Sequence, residues 1–524
     1  MFSFPSYAAA REGFAWPRSG VANMGVAACQ AWAQRDPQRT ALIVAAARGE
    51  PTSLSYALLE RTSNRMANAF AQLGVGRGDR VAIQLGQRLE TVAAHVATYK
   101  LGAIAVPMAI LFGSEALGFR MEASGAHLLV TTADGAAKVP PMAAQVVTVD
   151  GPTDGAADLA VMMERASDTF EAARTGPDDP ALMIFTSGTT GQPKGALHGH
   201  RVLTGHLPGV QMYQDLMPQE GDRFWTPADW AWAGGLLNVL LPSLAMGVPV
   251  VAQRAGRFDP DEALDWAARA GVRNAFIPPT ALRMMRDTRP SLALRSAGSA
   301  GEPLGAETFH WARENLGVTI NEAYGQTECN LVLGSCARWG IAEAGTLGRP
   351  VPGHEVAIVD DDGTPVPDGV EGTIAVAAPD PVMFLGYWND PDATADKFRG
   401  RWLMTGDRAV AGPDGVHFIG RADDIISSAG YRIGPGEIED CLAKHPAVAL
   451  SAVVGRPDAL RGEVVTAFVK LRDGERAGEA QRDALKSFVR ERLSAHFYPR
   501  EIEFVDEIPL TTSGKVIRRA FRER

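Results

Sequence analysis

Cysteine is scarce in this 524-residue chain, and the four present, Cys29, Cys329, Cys336 and Cys441, form no CxxC pair and no metal-ligand array. That excludes a disulfide scaffold and a zinc module, and predicts a reduced, cytoplasmic protein. A basic excess is also lacking: 51 Lys and Arg stand against 61 Asp and Glu, for a formal net charge of -10. This argues against broad binding to nucleic acid or to an anionic membrane, although a small local basic site for an anionic ligand remains compatible with it. No long apolar run survives uninterrupted. Lys100 and Pro107 break the stretch from Val92 to Phe112, and Pro242, Gly247 and Pro249 break the one from Leu236 to Ala252. Core helix–strand units are therefore expected there, without stable membrane insertion. Arg11, Glu12, Pro17 and Arg18 interrupt any leader-like apolar segment early.

What is present is length enough for two or more domains and an excess of glycine, 55 residues, suited to tight loops around ligands. Short β-branched runs, among them Arg80–Leu85, Ala103–Pro107, Ala126–Thr131, Gln145–Val149, Ala181–Thr186, Pro249–Ala252 and Asn274–Ile277, alternate with helical patterns such as Tyr56–Leu73 and Glu90–Leu101. The alternation predicts an α/β fold with parallel sheets covered by helices and ligands at the carboxyl ends of strands. Near Gly353 the texture changes to short strands separated by DDG and GPDG turns, which predicts a small antiparallel β-barrel region over about 353–422. Beyond it, 423–524 reads as a smaller α+β domain, with helices at Gly436–Lys444 and Arg482–Leu493 and strands at Ser451–Gly455, Val464–Val469 and Glu501–Phe504.

The sharpest motif is the run Thr186-Ser187-Gly188-Thr189-Thr190-Gly191-Gln192-Pro193-Lys194-Gly195, placed directly after the apolar strand Ala181–Phe185. Glycines let backbone approach phosphate oxygens, hydroxyls donate to them, and Lys194 adds a point charge. The spacing is not that of the P-loop, since Lys194 is followed by Gly195. The run resembles the signature of the adenylate-forming superfamily, which joins acyl-CoA synthetases, firefly-type luciferases and peptide-synthetase adenylation domains. Further segments resembling that family follow in order: Ala300-Gly301-Glu302-Pro303, Tyr324-Gly325-Gln326-Thr327-Glu328, Thr405-Gly406-Asp407, Gly420-Arg421-Ala422-Asp423-Asp424 and Thr512-Ser513-Gly514-Lys515.

The resemblance implies a large N-terminal adenylation domain, 1–422, and a mobile C-terminal domain, 423–524, turning on a hinge at Asp423. It implies ATP, magnesium and coenzyme A as cofactors and a small carboxylic acid as substrate. Adenine is expected against Gly301, Glu302 and Pro303, near Glu322 and Tyr324, with Asp407 and Arg421 at the ribose. Glu328 is the implied magnesium ligand, with Thr189 and Thr327 beside the phosphates, and Lys515 is the residue implied to reach the acid and the α-phosphate. Since the acid's own oxygen attacks phosphorus, no protein nucleophile is needed, and positioning with charge stabilisation dominates. Gly430 and Tyr431 would line the pantetheine channel and Arg432 would touch phosphate. The Ser-Gly-Lys context also implies a target for a lysine acyltransferase at Lys515, and the family's partners admit a homo-oligomer.

For the acid itself, the segment Thr226-Pro227-Ala228-Asp229-Trp230-Ala231-Trp232-Ala233-Gly234-Gly235 resembles the acyl-pocket lining of the family. Trp232 is expected as one wall, with Ala233, Gly234 and Gly235 leaving space beside it, and Trp230 belongs to the same expected pocket. Acetate-specific relatives carry a large aromatic where this chain has Gly325, so an acid larger than acetate is expected: short or medium-chain, branched or aromatic. Asp229 lies where amino-acid-activating relatives hold an ammonium, but its Ala-Asp-x-x-Trp setting is closer to the acyl-CoA synthetases. His198 and His200 lack carboxylate partners in sequence and read as structural. The alternative to coenzyme A as acceptor is the phosphopantetheine of a carrier protein, which presents the same thiol.

Overall fold

The computed structural model describes residues 4–17, 22–44, 50–186, 193–253, 258–288, 292–422, 424–428, 431–458, 462–493, 498–511 and 515–522. Two large sheets dominate the first 350 residues. One has nine strands and the other eight; each has a parallel centre, with antiparallel pairing at both edges of the first and at one edge of the second. Parallel strands buried on both faces read as short continuous apolar runs, and the strands Leu128–Thr131 and Ile104–Pro107 are buried at every position. The strands predicted in this part of the chain appear within one or two residues of their expected ends. Phe224–Trp225, inserted between Val250–Ala252 and Asn274–Phe276, is too short for a sequence period to betray it.

Helices bind the two sheets together. Tyr56–Gln72 starts where the Ser55 hydroxyl accepts from the Leu58 amide, and it buries Tyr56, Leu59, Met66 and Phe70 on one stripe. Leu89–Lys100 is enclosed from Thr91 onward, which accounts for its almost wholly apolar sequence. The cation that interrupts that sequence, Lys100, is itself fully buried. Its ammonium lies 2.8 Å from Glu60, 2.6 Å from Asn64 Oδ1 and 3.1 Å from the Ser63 hydroxyl, so the buried charge is fully partnered. Among the described residues no helix is long and apolar enough to cross a membrane.

From Val356 to Arg421 the chain forms a five-stranded antiparallel sheet. A barrel was expected here. Among the described residues no strand pairing closes one, because the edge strand Phe398–Arg399 is only two residues long and Gly415–Arg421 pairs with Trp402–Gly412 alone. A separate sheet begins at Ile426 and gathers Tyr431–Ile433, Val448–Asp458, Gly462–Leu471 and Glu501–Phe504, covered by the helices Pro435–Ala443 and Glu479–Arg492. Asp423, the expected hinge, lies outside the described residues.

Candidate active site

The motifs converge at the carboxyl ends of strands. Pro180–Thr186 and Lys194–Gly199 pair antiparallel in register from Phe185↔Gly195 to Thr186↔Lys194, so the phosphate run is the tip of a hairpin. Its residues Ser187, Gly188, Thr189, Thr190, Gly191 and Gln192 lie outside the described residues. Lys194, at the base of that tip, makes an ion pair of 3.1 Å with Asp390 and stands 5.4 Å above the Tyr387 ring.

Ser296–Ala300 and Ile320–Gln326 run parallel as neighbours and deliver the Gly301-Glu302-Pro303 loop and the Tyr324–Glu328 segment side by side. Glu302 is held by its neighbours: both carboxylate oxygens accept from the Thr280 hydroxyl, at 3.0 and 2.9 Å, and Arg283 Nη1 donates at 3.3 Å. Arg283 also donates to the Pro303 carbonyl at 3.2 Å. Glu322 lies beneath the same loop, where one oxygen accepts from the Leu304 amide at 3.1 Å. Burial raises the Glu322 pKa to about 8, against the lowering effect of that hydrogen bond and with a further push from Asp440. It is thus largely protonated at neutral pH and supports the loop as a neutral acid.

Asp407 and Arg421 are paired across adjacent strands. The Asp407 carboxylate is already engaged: Tyr324 Oη and Gln326 Nε2 both donate to its Oδ2 at 2.6 Å, while Arg421 Nη1 reaches Oδ1 at 3.4 Å. Tyr324 and Gln326 are therefore bound to the acid expected at the ribose. Thr327 is half-buried in the turn leading to Asn330–Gly334. Glu328 is nearly buried, with its Oε1 accepting from the Tyr387 hydroxyl at 2.5 Å.

Lys515 arrives from the other end of the chain. It is exposed by surface area, yet its Cε lies 3.9 Å from where a Cβ on Gly301 would stand. Crowding by the surrounding protein lowers its pKa from the ordinary lysine value, with Glu302, Asp407 and Glu328 acting in the opposite sense and Arg421 in the same one; its solvent access keeps that shift modest. Beside it, Arg518 donates to both oxygens of Glu439 and to Asp424, and Arg522 also reaches Asp424. Asp424 was legible only as part of the Gly420–Asp424 motif, and its arginine partners lie too far along the chain for spacing to signal them. Of the residues expected on the coenzyme side, Gly430 lies outside the described residues, as do the side chains of Tyr431 and Arg432.

The structure corrects the reading of the acyl-pocket glycines. A Cβ on Gly325 would stand 1.5 Å from the Asn330 carbonyl oxygen, so this position faces the neighbouring strand and its glycine does not open a cavity. The Trp232 ring itself occupies the space beside Gly234, within 2.5 Å of the Cβ position, and the Asp229 carbonyl occupies that beside Gly235, at 2.3 Å. Trp230 is fully buried in the main core and lines no cleft. Trp232 remains: half-buried, it packs on Gly301 and lies 6.0 Å from the Phe276 ring. Ala233 is half-buried beside it. Asp229 caps the turn that aims Trp232, its side chain accepting from Ala231 and its carbonyl from Trp232. His198 and His200 are buried; Nδ1 of His200 accepts from the Met24 amide at 3.1 Å.

Comparison with known proteins shows the family. The profile of the AMP-binding enzyme family matches residues 29–388, and that of the AMP-binding enzyme C-terminal domain matches 437–515. An acyl-CoA ligase of Bacillus subtilis (strain 168), YtcI, uncharacterised, is 34% identical over 93% of this chain and 93% of its own length. The acetyl-coenzyme A synthetase of the same organism is 33% identical over 88% and 84%. The crystal structure of the anthranilate CoA ligase AuaEII with anthranoyl-AMP superposes with a TM-score of 0.88 at 27% identity, covering 97% of this chain and 98% of that one. The chain therefore belongs to the AMP-binding, adenylate-forming enzyme family, as an AMP-forming acid–CoA ligase.

Proposed function

We propose that the enzyme activates a carboxylic acid larger than acetate, short or medium-chain, branched or aromatic, and transfers it to free coenzyme A. In the first step an oxygen of the acid attacks the α-phosphorus of ATP, the bond to pyrophosphate breaks, and the acyl adenylate forms. In the second the coenzyme's thiol attacks the acyl carbonyl, AMP leaves with the electron pair of the C–O bond, and the thiol proton goes to solvent. The observation that carries this reading is the approach of Lys515 and Trp232 to Gly301, from three distant stretches of chain. A mobile ammonium at that point would neutralise the carboxylate and the α-phosphate as they approach.

The remaining assignments follow the same geometry. Asp407 and Arg421 bind the ribose, and the Gly301–Pro303 loop, held rigid by Glu322, Thr280 and Arg283, lies along the adenine. Glu328, a single near-buried carboxylate at the phosphate end, fits magnesium, which takes oxygen ligands and commonly only one or two carboxylates alongside nucleotide phosphates. Bound there, the metal would offset charge on the departing pyrophosphate, with Thr327 and, outside the described residues, Thr189 assigned to the same phosphates. The size of the acid is assigned to Trp232, the half-buried ring packed on Gly301, whose face suits an apolar or aromatic acyl group. The large domain ends near Ala422, ahead of the C-terminal sheet that begins at Ile426 and of the residues 437–515 that match the C-terminal domain family.

The test is coenzyme A-dependent AMP release across straight C2 to C12, branched and aromatic acids. Activity that requires an acid and coenzyme A, with acetate a poor substrate, is expected. Acetate as the preferred acid by a wide margin would defeat the size assignment. Release on a carrier-protein thiol but not on coenzyme A would defeat the acceptor.

A further inference from the structure

The segment Phe384–Asp390 has no part in the motifs above, yet it touches both charged groups at the phosphate end. Its backbone is stitched to two places at once. The Phe384 amide donates to the Glu328 carbonyl at 2.9 Å, while the Leu385 and Trp388 amides donate to Leu197 and Gly195 on the strand that begins with Lys194. Gly386–Tyr387 pairs with that strand. The side chains repeat the bridge. Tyr387 Oη donates to Glu328 Oε1 at 2.5 Å, with its ring 5.4 Å from the Lys194 ammonium. Asp390 divides its two oxygens: Oδ1 caps the helix Pro391–Asp396 by accepting from Ala393, and Oδ2 pairs with Lys194 at 3.1 Å.

We propose that Tyr387 and Asp390 are positioning residues for the nucleotide phosphates and their metal. Tyr387 fixes the rotamer of Glu328 so that the second carboxylate oxygen is presented to magnesium. Asp390 is a placeholder that holds Lys194 in the nucleotide-free enzyme and releases it to the phosphates. Two facts distinguish a placeholder from a structural bridge. Both partners are substantially exposed, at 41% and 38% of their side-chain surface, and exposed ion pairs are worth little, so a polyanion displaces them readily. The other oxygen of Asp390 is tied into a helix cap, so the residue stays in place when Lys194 leaves. The inference rests on the assignment of Glu328 to magnesium and Lys194 to phosphate.

Calorimetric titration of ATP into the full-length enzyme, once in EDTA and once in excess MgCl2, separates the roles. Tyr387→Phe keeps the ring over Lys194 and removes only the hydroxyl. It should leave the metal-free ATP affinity within about twofold of wild type and reduce the gain in affinity conferred by magnesium at least fivefold. Asp390→Asn keeps the helix cap, since asparagine caps as well as aspartate, and should tighten metal-free ATP binding by about two- to fivefold, the range of an exposed pair. The inference is overturned if Tyr387→Phe retains the full magnesium effect, or loses affinity equally with and without metal. It is equally overturned if Asp390→Asn binds metal-free ATP no better than wild type. Glu328→Gln keeps the two kinds of failure apart. If that variant retains the magnesium effect, the metal assignment itself falls; if it loses the effect while Tyr387→Phe does not, only the positioning inference falls.

Discussion

Glu322 illustrates how burial can decide what a residue is. Its sequence context offers an acid near adenine, and its structural setting offers a neutral hydrogen-bonded support for the Pro303–Leu304 backbone. With a folded pKa of about 8 against an ordinary 4.5, the unfolded chain holds fewer protons than the folded one throughout that interval. Stability is therefore lost as pH rises from about 4.5 to about 8, and is flat on either side as far as this group is concerned. Glu322→Gln, neutral at every pH and still able to accept from Leu304, should remove that slope. The variant is expected to be more stable than wild type at pH 8, by up to a few kcal/mol, with the advantage shrinking toward pH 5. Chemical denaturation at the two pH values checks it. A stability difference independent of pH would contradict the protonation state assigned here.

At the scale of elements, the two strands Ile320–Gln326 and Asn330–Gly334 form a tight hairpin that carries Glu322, Tyr324, Gln326, Thr327 and Glu328. Its register shifts between Tyr324 and Gly325, and Asn330 takes the left-handed conformation at φ 50°. Gly325 is the position where the Asn330 carbonyl crosses closest to the chain, so any side chain there collides with backbone, which cannot rotate away. Gly325→Ala should destabilise the protein by about 3 kcal/mol and misplace Gln326 and Glu328 together. Unfolding in denaturant measures the first effect, and ATP affinity the second. A variant of wild-type stability would show that the hairpin can open at that point. Gly234 and Gly235 follow the same logic, with the Trp232 ring and the Asp229 carbonyl in the places of their missing side chains. A glycine in sequence marks space that is needed, but only the fold shows what fills it.

At the scale of the whole molecule, Lys515 lies on a turn whose flanks are held by backbone pairing between Leu510 and Val516 and between Thr511 and Lys515. The adjacent Arg518 and Arg522 join Asp424 and Glu439, anchoring the C-terminal helix beside the residues that follow Asp423. Where the helix Pro435–Ala443 meets the large domain, Asp440 stands against Gly305. This arrangement brings the lysine to Gly301, where the proposed adenylation step takes place. Lys515→Ala should accordingly slow adenylate formation by at least about 100-fold. Thioester formation from pre-made acyl adenylate should remain within a few-fold of wild type, because the thiol step does not use that charge. Pyrophosphate exchange and thioester assays, run separately, check the two halves. Equal loss in both would contradict the division of labour.

The chemistry of the site was legible in the order of its motifs. Phosphate binding demands small residues, hydroxyls and a cation in one short loop, and such local demands are written locally, as in the run from Thr186 to Gly195. The alternation of apolar runs with helical periods likewise determined the parallel sheets, because a buried strand must be apolar along its length. Groups that matter through partners distant in sequence were not legible. Tyr387 meets Glu328 across 59 residues, Arg518 meets Asp424 across 94, and no spacing rule links either pair. Nor could sequence tell that Gly325 faces a strand while Trp232 packs on Gly301. The direction of a missing or present side chain depends on register and packing, which only the tertiary structure decides.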